Sequence, residues 1–90
     1  MYFVITYTAE DGNPCISPEL NAFSSLDGAR GFMERQYQEA KSQTPEIILD
    51  TWFGDFSATI WYKGQANFTD WNIVELKNAS IVSLVEYPTL

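Results

Sequence analysis

Histidine is absent, cysteine occurs once, and Lys plus Arg number only 5 against 12 Asp plus Glu in a chain of 90 residues. Each shortage excludes some chemistry. Without His there is no Ser-His-Asp or Cys-His relay, no His-bearing zinc site and no imidazole pH switch. One Cys allows neither an internal disulfide nor a zinc finger. A formal net charge of −7 repels phosphates, so direct contact with nucleic acid is not expected. No apolar run approaches the length of a membrane span, so no membrane partner is expected either. The first apolar stretch, Tyr2 to Ile5, lacks the positive flank of a signal peptide. Cys15 stands in a polar stretch, and residues 1–29 contain no Lys or Arg to activate it, so it reads as an inert reduced thiol. Together these features predict a cytoplasmic protein.

What is present is apolar and aromatic. Hydrophobic residues make up 46% of the chain, too many for a disordered acidic tail. The length fits a single domain over residues 1–90 with a small core. Residues 2–8 are β-branched and aromatic, with apolar side chains on both parities, which predicts an interior strand. Residues 9–23 read as a long connection broken by Asp11-Gly12-Asn13-Pro14 and Ser17-Pro18. Ser24 or Ser25 then caps a helix whose stripe is Leu26, Ala29, Met33, Tyr37 and Ala40, and Thr44-Pro45 ends it. Gly28 and Gly31 each cost this helix ~1 kcal/mol of propensity, unless they permit a close approach to the sheet.

The clearest local signal is a hairpin. Glu46–Phe53 and Phe56–Tyr62 are strand-like runs around Gly54-Asp55, a pair that suits a two-residue type II′ turn. That turn sets Phe53 against Phe56, Thr51 against Ala58, Leu49 against Ile60 and Ile47 against Tyr62, all on a core-facing side. The opposite side then carries Trp52 with Ser57, Asp50 with Thr59, and Ile48 with Trp61. Lys63 to Asn67 read as a turn, Asp70 to Leu76 as a further strand, and Ser80 to Tyr87 as a final β-like run of poor periodicity. The sequons at Asn67 and Asn78 read as chance turn residues. The expected fold class is α+β: a two-layer sandwich with one amphipathic helix on a mainly antiparallel sheet of four to five strands, order β-α-β-β-β with a further β possible at the end. The helix does not decide how the first strand pairs.

Catalytic signals are weak. Asp50, Asp55, Asp70 and Glu75 are the nearest thing to paired carboxylates, and nothing in their spacing makes them converge; as solvated charges on strands they need no catalytic role. There is no Ca²⁺-loop spacing and no phosphate-binding glycine pattern. No catalytic residue, cofactor or metal is therefore expected, and the chain reads as a non-enzyme. The aromatics matter more. Trp52 and Trp61 fall on the side opposite the helix, where an uncovered face would be a contact site. The loop and hairpin are acidic while three of the five bases lie on the helix. The reading is a small acidic protein-binding module, an inhibitor or adaptor whose anionic aromatic face docks on a basic partner protein through Trp52, Trp61, Asp50, Asp55 and Thr59. In size and charge, though in no motif, the chain is similar to compact acidic inhibitors of the phage and mobile-element type. Two alternatives stay open: a small-molecule binder using the same face or a pocket under the 9–23 stretch, and a homo-oligomeric structural protein such as a homodimer.

Overall fold

Alternation along the first strand already separates two layers. In β1 (Tyr2–Ala9) Tyr2, Val4 and Thr6 point one way, and Phe3, Ile5 and Tyr7 the other. The computed structural model describes residues 1–10, 13, 18–64 and 67–76. It adds β2 (Glu19–Phe23), helix α1 (Leu26–Gln43), a 3₁₀ turn (Pro45–Ile47), β3 (Ile48–Phe53), β4 (Ser57–Tyr62) and β5 (Asn67–Glu75). The strands form one antiparallel sheet of order β2-β1-β5-β4-β3, with α1 packed on one face. This is the expected α+β sandwich. The first strand lies inside the sheet, between β2 and β5.

One strand was not expected. Part of the stretch read as a connection is β2, which pairs with β1 from Tyr2↔Phe23 to Thr6↔Glu19. Its alternation is hard to see because it is an edge strand of only five residues, with Glu19, Leu20 and Ala22 exposed. Cys15 and the Ser80–Tyr87 run lie outside the described residues.

The helix follows its stripe. The Gly28 N–H donates to Ser25 Oγ at 3.1 Å, which makes Ser25 the cap. Ala29, Met33 and Tyr37 are buried against Val4, Ala58, Ile60 and Trp71. Trp71 is pinned as well as packed: its Nε1–H donates to Gln36 Oε1 at 2.9 Å, and its ring meets Tyr37 edge-on at 6.0 Å. Gly28 sits tight beneath the cap, but a Cβ at Gly31 would meet nothing within 4 Å, so close approach to the sheet does not explain Gly31.

The hairpin closes differently from the sequence expectation. Gly54 N–H donates to the Ser57 carbonyl at 2.8 Å, and Phe53 pairs with Ala58, Trp52 with Thr59, Thr51 with Ile60, and Asp50 with Trp61. The register is displaced by two residues. A type II′ turn needs a positive φ at its first central residue, and among the described glycines only Gly64 has one. Gly54 has another use: a Cβ there would stand 2.5 Å from the Trp52 indole, which lies across it. Because side chains alternate with a period of two, a displacement of two leaves Asp50–Phe53 on their expected faces. A bulge between Ile48 and Asp50 undoes the rest: Ile48 pairs with Tyr62 and joins the core, while Leu49 is 68% exposed instead of core-facing.

Candidate functional site: an aromatic sheet face opposite the helix

Cross-strand pairing lays the face opposite α1 out in rows. One row runs Trp52, Thr59, Asp70, Tyr7 across β3, β4, β5 and β1. The next runs Asp50, Trp61, Phe68, Ala9. On the other side of the first row stand Ser57, Asn72, Ile5 and Leu20. Trp52 is 50% exposed and Trp61 40%, and Tyr7 stacks on Phe68 at 5.8 Å. Single exposed apolar residues are ordinary, but a contiguous group of this kind is not.

A polar strip crosses the aromatics. Thr59 Oγ1–H donates to Asp70 Oδ1 at 2.8 Å, and Asn72 Nδ2–H donates to Asp70 Oδ2 at 3.0 Å. Asp50 and Asp70 are the only charged residues in these rows. The described cations lie elsewhere: Arg30, Arg35 and Lys41 on α1, and Lys63 just after β4.

Four of the five expected site residues share this face: Trp52, Trp61, Asp50 and Thr59. Asp50 is partly engaged, since its Oδ1 accepts the Thr51 N–H at 2.8 Å. Asp55 is not among them. It sits in the β3–β4 loop, turned toward the helix layer, where Arg30 Nε–H donates to its carbonyl at 2.9 Å and the guanidinium approaches its carboxylate at 3.4 Å. Arg30 also lies 5.3 Å from the centroid of the Phe56 ring. Asp70, Tyr7 and Phe68 complete the face and were not among the expected contact residues. For Asp70 a signal existed: in a strand where Trp71 is core, its neighbour must face away. For Tyr7 there was none, because only the β1–β5 pairing brings it beside Asp70.

On the helix side, past the end of α1, a cavity of about 340 Å³ is lined by Thr8, Glu10, Thr44, Tyr62, Lys63 and Thr69, among others. Thr8 Oγ1 and Thr69 Oγ1 are 3.4 Å apart. Among the described residues, no three His, Cys, Asp or Glu side chains gather where a metal could be held. Glu75, cross-strand from Tyr2, accepts a hydrogen bond from its phenol and opposes the phenolate with its own charge, so the Tyr2 pKa is raised. No helix among the described residues is long and apolar enough to cross a membrane. No protein-family model, curated protein or solved structure matches the chain.

Proposed function

We propose that this protein is a non-enzymatic binding module that docks the sheet face opposite α1 on a basic surface of another protein in the cytoplasm, as an inhibitor or adaptor does. The observation that carries the reading is the grouping of two half-exposed indoles with two carboxylates in cross-strand rows that contain no described cation. The face measures roughly 20 Å by 20 Å from strand spacing and length. Such a patch buries less than the ~800 Å² per partner of a standard interface, so affinity must come from a few residues, not from area. Trp52 and Trp61 are of the type that supplies it, and the charge sets the encounter rate.

Charge also separates this reading from self-association through the same face. Two copies would each bring a net charge of −7 and set acid against acid across the contact. A small-molecule reading draws on the cavity between Thr8, Tyr62 and Lys63, whose volume is near the lower end for ligand sites.

The test starts with capture from host lysate by wild type and by the Trp52→Ala and Trp61→Ala variants. A purified captured protein is then titrated at about 50 and 300 mM salt. The expected partner is basic, binds more weakly to both variants and loses affinity with salt. Capture that ignores both substitutions and salt overturns the reading.

A further inference from the structure

Within this docking reading, we propose that Asp70 is the receptor for an arginine side chain of the partner, with Thr59 and Asn72 as positioning residues. Asp70 stands in the middle of the face, in one row with Trp52 and Tyr7, diagonal to Trp61 and two residues along its own strand from Phe68. Thr59 and Asn72 each hold one carboxylate oxygen, at 2.8 and 3.0 Å, and so fix the plane of the carboxylate. Each oxygen retains a second lone pair, so both can still accept from the two parallel N–H groups of one guanidinium. No described cation pairs with Asp70.

The surroundings favour arginine over lysine. A guanidinium is planar, weakly hydrated and able to lie against aromatic rings while it bonds a carboxylate with two hydrogens. An ammonium is a strongly hydrated point charge that gains less from a fixed carboxylate plane and flanking rings. Asp50, in the adjacent row, spends one oxygen on the Thr51 N–H and has no second donor among the described residues to set its plane.

Hexa-arginine and hexa-lysine peptides, equal in charge and length, are the probes, titrated against the intact protein by indole fluorescence and by amide chemical shifts along β5. Wild type is expected to bind the arginine peptide more tightly. Asp70→Asn keeps the side-chain shape and is expected to weaken arginine-peptide binding by about tenfold, to the level of the lysine peptide. Thr59→Val keeps the charge and frees the carboxylate plane; it is expected to weaken arginine-peptide binding more than lysine-peptide binding and so to shrink the preference for arginine. Equal binding of the two peptides, or equal losses for both on Asp70→Asn, overturns the arginine assignment. If Trp52→Ala and Trp61→Ala still weaken both peptides in that case, the docking face itself stands. No response of the indoles or of β5 to either peptide overturns both. The peptide comparison on wild type decides the matter even if a variant folds poorly.

Discussion

The two faces of the sheet use the same residue types for opposite ends. On the inner face Trp71 is 2% exposed, wedged among Tyr37, Ala58 and α1, with its N–H given to Gln36. On the outer face Trp52 is 50% exposed and rests on the backbone of Gly54. An indole inside carries the stability of a small core, while one outside carries little stability and is available to another molecule. Residue type does not distinguish these roles; strand parity and the position of α1 do.

The sharpest way to break that comparison is truncation on each face. A domain of this size has a total stability of roughly 4–13 kcal/mol. Trp71→Ala is expected to cost about 3–5 kcal/mol through the cavity and the lost hydrogen bond, and Trp52→Ala less than about 1 kcal/mol. Urea denaturation followed by far-UV circular dichroism measures both; similar losses would mean that the outer indole is structural. Smaller and opposite in sign is Gly31→Ala. A methyl there meets no atom within 4 Å, so the helix is expected to gain about 1 kcal/mol in the same assay. Gly54→Ala sharpens the comparison from the outer side. The new Cβ pushes the Trp52 ring off its seat, so indole fluorescence is expected to shift while stability changes by only a few tenths of a kcal/mol. The smallest effect is alkaline. The raised Tyr2 pKa means that the Tyr2–Glu75 contribution is complete below the ordinary phenol value of 10.0 and is lost as pH rises through the raised folded value. Tyr2→Phe is expected to remove that part of the alkaline fall in stability, read as the difference between the two proteins' urea midpoints from about pH 8 to 11.

The helix, its stop at Thr44-Pro45 and its buried stripe were legible because a period of 3.6 over five turns is hard to mimic by chance. The outward placement of Trp52 and Trp61 was legible for a subtler reason. The turn was misassigned, yet the error was an even number of residues, so it left parity intact. Leu49 was misplaced because a bulge inserts one residue, an odd step, and a single chain gives no local mark of where that happens. β2 was missed because an exposed strand lacks the alternation that betrays a half-buried one. Asp70 was visible only as one carboxylate among several; its place beside Tyr7 depends on a pairing between residues more than sixty positions apart.

The bond from the Thr51 N–H to Asp50 reaches beyond its own strand. Pairing of Gly54 with Ser57 turns the N–H groups of Thr51 and Phe53 away from β4, toward the rim of the sheet. With one of those donors already occupied, a carboxylate beside it and a bulge two residues earlier, a strand arriving from another molecule finds no regular ladder to extend. Lateral growth into ribbons is thereby discouraged at this margin, beside a face that displays two half-exposed indoles.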